Sequence, residues 1–154
     1  MTNGILEIRE IRGGSRAAKK KLQEVIRKVK NPRVANKRVS VWLLRWVNEN
    51  FKSQGGKVGG WKPFKLGGRK IPGGGIDRSA KLLQDTGRLR ASFSPFHSRN
   101  TAGVGSDLNY SLTHELGLPH KNLPSRRMLP LDTDRQVTSG IIKIYDHYIR
   151  TALR

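Results

Sequence analysis

Three stretches of this chain repeat their apolar residues with the helical period, and a glycine-rich run separates two of them from everything that follows. In the first, Ala18, Leu22, Val25, Ile26 and Val29 share one face. Ser15 is the expected N-cap after a break at Gly13-Gly14, and Lys19, Lys20, Lys21, Arg27 and Lys28 cover much of the remainder. Asn31-Pro32, a cap followed by proline, restarts a helix with the stripe Val39, Trp42, Leu43, Trp46, Val47 and Phe51. Arg38, Arg45, Glu49 and Lys52 fall on its other side. Trp42 and Trp46 at this spacing read as core packing in preference to a base-stacking platform. A last helix begins near Thr133 and carries Val137, Ile141, Ile144, Tyr145, Tyr148 and Ala152 on one side, with Gly140 weakening its first half.

The remaining segments read as short strands and loops. Ile5 to Arg12 fits two patterns, the alternation of Leu6 and Ile8 and the recurrence of Ile5, Ile8 and Ile11 at every third residue; the strand is the preferred reading. Asp85-Thr86-Gly87 turns into a strand in which Leu89, Ala91 and Phe93 alternate with Arg88, Arg90 and Ser92, and Pro95 interrupts or ends it at an edge. Asn100 to Gly103 make the turn, Val104-Gly105 begins a returning strand, and Asp107 caps a short helix over Leu108 to Leu116 that stops at Gly117. Leu118 to Leu131, with three prolines, is expected to be extended. Between Gly55 and Gly75 nine glycines and five Lys or Arg predict a mobile, basic loop (about 53–79) without regular structure until Asp77, pinned to the core by Trp61 and Phe64. The sum is an α+β fold: N-terminal helices, a small antiparallel sheet with a long Gly-rich loop, and a C-terminal helix.

At 154 residues this is one domain, 1–154, with a modest core. Cysteine is absent, which removes disulfides, thiolate metal sites and thiol nucleophiles. No apolar run approaches the ~20 residues of a membrane helix, and the N-terminus mixes Glu and Arg into its apolar residues, so a soluble protein with no membrane partner is expected. The formal charge of +20 changes the picture more. Residues 1–80 hold 20 Lys and Arg against 5 acids, a net +15, and the rest 11 against 6, a net +5. Such a surface attracts polyanions. Nucleic acid explains it no better than an acidic protein neighbour or simple solubility taken together; as phosphate or acidic-partner contacts, Lys19, Lys20, Lys21, Arg27, Lys37 and Arg38 are expected.

No spacing matches a catalytic device. There is no Gly-x-Ser-x-Gly elbow, no His-Glu-x-x-His helix and no phosphate-binding Gly-Lys-Ser/Thr loop, and His97, His114, His120 and His147 sit singly. His114 with Glu115 and His120 is weighed as a metal site and set aside for want of a His-x-x-x-His pair or any Cys. The residues therefore imply no enzyme, metal or cofactor. Arg126-Arg127 can clamp phosphate or a partner's carboxylate, anchor the chain internally, or pair with Glu115 or Asp132.

Five landmarks stand in order: Trp61-Lys62-Pro63-Phe64; Leu83-x-Asp85-Thr86-Gly87-x-Leu89; Val104-Gly105; Tyr110-x-x-x-His114-x-x-Gly117; and Pro124-x-Arg126-x-x-Leu129. This series resembles the virion morphogenesis (tail completion) family of tailed bacteriophages. Ser111, Ser125 and Met128 stand where that family usually has Ala, Ala and Phe, changes that are conservative in size. The resemblance implies a non-enzymatic structural protein that completes the tail or joins it to the head. It would act in a homo-oligomeric ring, a hexamer or dodecamer, around the DNA channel. Its partners would be head-tail junction or tail tube proteins, with non-specific contact to packaged DNA, and its place the virion after assembly in the host cytoplasm. Trp61, Phe64, Arg69, Lys70, Arg126 and Arg127 are then the expected subunit or partner contacts. Asp85, Thr86, Gly87, Leu89, Tyr110, His114, Gly117 and Pro124 are expected to be structural. The alternative is a basic DNA-binding module gripping the phosphate backbone.

Overall fold

The computed structural model describes residues 15–131 and 133–153, so the strand expected over Ile5 to Arg12, the Gly13-Gly14 break and Asp132 lie outside the described residues. Helix α1 (Arg16–Lys30) starts as expected, with Ser15 Oγ accepting the Ala18 N–H at 3.2 Å. None of its residues is buried. Asn31 does not cap the next helix. Its N–H instead closes α1 on the carbonyls of Arg27 and Lys28, at 3.0 and 3.2 Å, and α2 (Arg33–Lys52) begins after Pro32 with no side-chain cap.

Helix α2 is the ridge on which the other elements rest. Ala35, Val39, Leu43, Trp46, Val47 and Phe51 are buried along it, and Trp42 is partly covered, so the tryptophans pack against the core. The glycine-rich loop is more regular than its composition suggests. A 3-10 turn, Gly56–Val58, is followed by a short hairpin of β1 (Arg69–Lys70) and β2 (Ile76–Asp77), with Arg69 opposite Asp77. The turn between them closes because the Ile71 N–H reaches the Gly75 carbonyl at 3.0 Å. Trp61 does pin the loop: its ring meets Phe51 edge-on, centroids 5.2 Å apart, and its Nε1–H donates to the Arg127 carbonyl at 2.8 Å. Phe64 packs half-buried on the same core.

The strand expected through Leu89 is instead one helical turn, α3 (Arg88–Ala91). Gly87 takes the left-handed conformation (φ 73°), and the Ala91 and Ser92 N–H groups bond back to the Gly87 and Arg88 carbonyls at 2.9 and 3.0 Å. Leu89 and Phe93 are four residues apart, a spacing that suits both a strand and a helix. Ala91, which alternation would bury, is exposed. Strand β3 (Phe93–His97) then pairs antiparallel with β4 (Ala102–Ser106), Phe93 opposite Ser106 and His97 opposite Ala102. Pro95 lies mid-strand opposite Val104, tolerated because only one side of β3 is paired. The turn is Ser98–Thr101, closed by the Ser98 N–H on the Thr101 carbonyl at 2.8 Å; Gly103 belongs to the strand.

Helix α4 (Asn109–Leu116) takes no cap from Asp107; the Leu108 N–H goes to Ser106 Oγ at 3.2 Å. Gly117 ends it as expected at φ 77°, and a Cβ there would lie 2.5 Å from the Ser125 nitrogen. The segment expected to be extended from Leu118 instead folds through a 3-10 turn, Pro119–Lys121, closed by two bonds between Leu118 and Leu123 at 2.8 and 3.1 Å. Helix α5 (Arg135–Arg150) lies along α2 with Val137 and Tyr148 buried and Ile141, Ile144 and Tyr145 partly so. Gly140 marks its close approach: a Cβ there would fall 2.4 Å from Trp42 Cζ2. Helix α1 is held to the end of α5 by Lys21 Nζ on the Leu153 carbonyl at 2.9 Å and Lys28 Nζ on Thr151 Oγ1 at 2.8 Å.

Two buried asparagines lie in phase with the α2 stripe. Asn36 Nδ2 donates to the carbonyls of Ser98 and Arg99 at 3.0 and 2.9 Å, while its Oδ1 accepts the Tyr145 hydroxyl. Asn50 Nδ2 donates to the carbonyls of Arg127 and Met128 at 3.1 and 3.4 Å, while its Oδ1 accepts the Lys57 N–H at 3.2 Å. Asn50→Ala should cost about 2 kcal/mol by leaving buried backbone groups unpaired. Asn50→Asp should cost more, because it removes the donor and buries a charge. Urea unfolding of the three proteins checks both the size and the order.

Candidate partner-binding cleft

One open cleft of about 1020 Å³ lies between the glycine-rich loop and the arm that follows α4. Its near wall holds Phe64 and Arg69, its floor Leu82, Asp85, Thr86, Gly87 and Leu89, and its far wall Tyr110, His114, Gly117, Pro124 and Arg126. Every residue expected to be structural on the strength of the landmarks thus converges here, although Asp85 and Pro124 are 39 positions apart in sequence. Lys62, Lys65, Lys81 and Arg88 add positive charge, and Asp85 is the one carboxylate among the lining residues.

The walls are tied to each other through Arg126. This side chain is 8% exposed, and its Nε and Nη2 both donate to the Lys62 carbonyl at 3.1 Å. Its backbone N–H donates to the His114 carbonyl at 2.8 Å. Arg126 is therefore an internal anchor joining loop, arm and α4. Burial lowers the pKa of its guanidinium without approaching deprotonation. Arg127 pairs with Asp134 and not with Glu115: its Nη2 donates to both carboxylate oxygens of Asp134, at 3.2 and 3.1 Å. Glu115 is committed to the arm, accepting the N–H groups of Met128 at 2.6 Å and Leu129 at 3.2 Å, and Ser125 Oγ donates to its carbonyl at 2.6 Å. Burial raises the Glu115 pKa, with the two amides pulling it the other way.

Arg69 pairs with Asp85 across the cleft, joining the β1–β2 hairpin to the turn before α3. Tyr110 meets His114 edge-on with centroids 6.2 Å apart, and the His114 Nδ1 is buried with no hydrogen-bond partner. Burial, and secondarily the charge of Arg126, lower the His114 pKa. No group of three His, Cys, Asp or Glu among the described residues is placed to hold a metal ion: His120 is exposed on its 3-10 turn, and the Glu115 carboxylate faces the arm. Beside the cleft α4 buries none of its residues and leaves Tyr110, Leu112 and Leu116 exposed, at 41, 62 and 67%.

The other expected contacts are dispersed. Trp61 is buried behind the loop, whereas Lys70 is exposed on the hairpin. Lys19, Lys20 and Arg27 are exposed on α1, and the Lys21 ammonium is engaged with Leu153. Lys37 and Arg38 border a separate groove between α2 and α5. Sequence reasoning missed Asn36 and Asn50; the available signal was a polar residue recurring in phase with the apolar stripe of α2. It also missed the binding of arm amides by Glu115, for which spacing carries no signal.

Fold and site together define a small, basic α+β protein most of whose landmark residues line one cleft. The phage virion morphogenesis family matches residues 15–145, and this chain belongs to it. Its role is accordingly in the structure or assembly of a bacteriophage virion. No curated protein and no solved structure matches the chain. None of the described helices is long and apolar enough to cross a membrane.

Two outcomes check the electrostatics of the cleft. The His114 imidazole should titrate below the free value of 6.5 by NMR. Because its folded pKa is depressed, the unfolded chain takes up the proton first. The contribution of His114 to stability is thus present above pH 6.5 and lost as the pH falls through the folded value, so His114→Gln should flatten that part of the profile. Arg126→Ala should lower stability by about 2 kcal/mol in urea unfolding, as expected for losing hydrogen bonds from a charged, buried donor.

Proposed function

We propose that this protein completes the tail or joins tail to head as one subunit of a ring around the DNA channel, the cleft and the exposed face of α4 receiving the neighbouring subunit. The observation that carries this reading is the pairing of a family-landmark cleft with an uncovered apolar helix at its edge. The fixed part of the cleft needs no partner, because Arg126, Glu115 and Trp61 already bind its walls to one another. Leu112 and Leu116, by contrast, have nothing over them, and covering two such leucines contributes about 1.5–3 kcal/mol each. Arg69 and Lys70 on the hairpin, with Phe64 below them, complete the surface that a neighbour would meet.

This role needs no catalytic residue and no cofactor. The site of action would be the head-tail junction or tail end of the virion, the partners being copies of this chain and the tail tube or connector proteins. The duplex-gripping alternative has weaker support, since its expected cations divide between α1 and the α2–α5 groove.

Light scattering on nuclease-treated protein, with negative-stain images of the same fractions, tests the ring. A closed multimer with ring images is the expected result. Leu112→Glu combined with Leu116→Glu should return the mass to the 17.3 kDa of the single chain while leaving the circular dichroism spectrum unchanged. A multimer of undiminished mass in that double variant would exclude this face as the subunit contact.

A further inference from the structure

A second surface, remote in sequence from the cleft, lies between α2 and α5. It is a groove of about 610 Å³ with Val34, Val41, Trp42 and Ile144 as its apolar part and Lys37, Arg38, Arg45 and Lys143 as its charged part. Val34 and Val41 are 53 and 48% exposed, and Trp42 is only partly covered. At Trp42 the two helices come close, since α5 carries Gly140 against the ring, where a Cβ would fall 2.4 Å from Cζ2. No carboxylate is among its lining residues, and no salt bridge among the described residues involves any of the four cations.

We infer that this groove seats an amphipathic helix with acidic flanks, supplied by another protein of the virion. The apolar part would receive the hydrophobic stripe of that helix, and the four cations would pair with carboxylates on either side of it. A DNA backbone would use the cations yet leave Val34, Val41 and Trp42 uncovered. A second copy of this chain, in a two-fold contact through the same face, would set four cations against four cations. The groove shares no lining residue with the cleft, so this inference stands whether or not the ring does.

The test uses the full chain and a fluorescein-labelled synthetic helix of about 16 residues, long enough for four turns, with Leu at i, i+3, i+4 and i+7 spacing and Glu elsewhere. Its Lys-for-Glu counterpart and a DNA duplex are the comparison probes. Anisotropy gives affinity, and tryptophan emission reports cover over Trp42, since Trp46 and Trp61 are already buried. The acidic helix should bind and shift the emission to the blue, and Trp42→Phe should abolish that shift. Arg38→Glu with Lys143→Glu should weaken binding about tenfold or more, a loss of about 1.4 kcal/mol. Val34→Ser with Val41→Ser, at exposed positions that the fold does not need, should weaken it about fivefold or more.

Unchanged affinity in the serine variant would mean general attraction to a basic surface and would overturn the inference. So would an equal emission shift with the DNA duplex, or with the Lys helix. A fall in the multimer mass of the Arg38→Glu, Lys143→Glu protein would assign the groove to self-association and overturn it as well. Loss of mass confined to the Leu112 and Leu116 variant concerns the ring alone.

Discussion

Two side-chain amides on one helix organise this molecule. Asn36 and Asn50, at most 2% exposed, lie fourteen positions apart on α2, a span of about 21 Å. Buried amides must be hydrogen-bonded, and both of these spend their donors on loop carbonyls, not on other side chains. Asn36 fixes the turn of the β3–β4 hairpin and, through Tyr145, the position of α5. Asn50 fixes the arm and, through the Lys57 amide, the start of the glycine-rich loop. Hydrophobic burial along α2 holds the elements on the helix without saying where along it they stop. The amides supply the register that burial lacks.

The cleft inherits that register. Its near wall is the loop that Asn50 and Trp61 pin down, and its far wall is the arm whose Arg127 carbonyl accepts from both of them. Arg126 then closes the arrangement by holding the Lys62 carbonyl. Several landmark residues are therefore fastenings of the socket: Trp61 and Arg126 hold its walls together. In the proposed ring, walls fastened in this way would let one copy meet the next without first rearranging.

Much of this was legible in the residues. The three long helices, the cap at Ser15, the stop at Gly117, the buried tryptophans and the Trp61 pin all follow from periodicity and terminal chemistry. The misread elements have separate causes, and the first is a short segment in which two periods agree. Leu89 and Phe93 satisfy alternation and the helical turn equally, and only Gly87 at positive φ decides between them. The glycine-rich loop was misjudged because composition counts glycines without seeing that a turn at Gly73 to Gly75 lets two short strands pair. For Arg126 the residues left an outward clamp and an internal anchor both open. What distinguishes an anchor from a clamp is a carbonyl 64 positions away, at Lys62, and no local pattern encodes that distance.

Helix α1 stands apart from this economy of contacts. It buries no residue, and its described polar links to the rest run mainly from two lysines to the far end of α5, with Arg99 reaching back to the Lys30 carbonyl. With so few ties, its opening should be a local event requiring a smaller free energy than unfolding of the core. In hydrogen exchange its amides would form their own, faster class. A cationic rod of about 22 Å with no buried residue would then behave as a module apart from the socket.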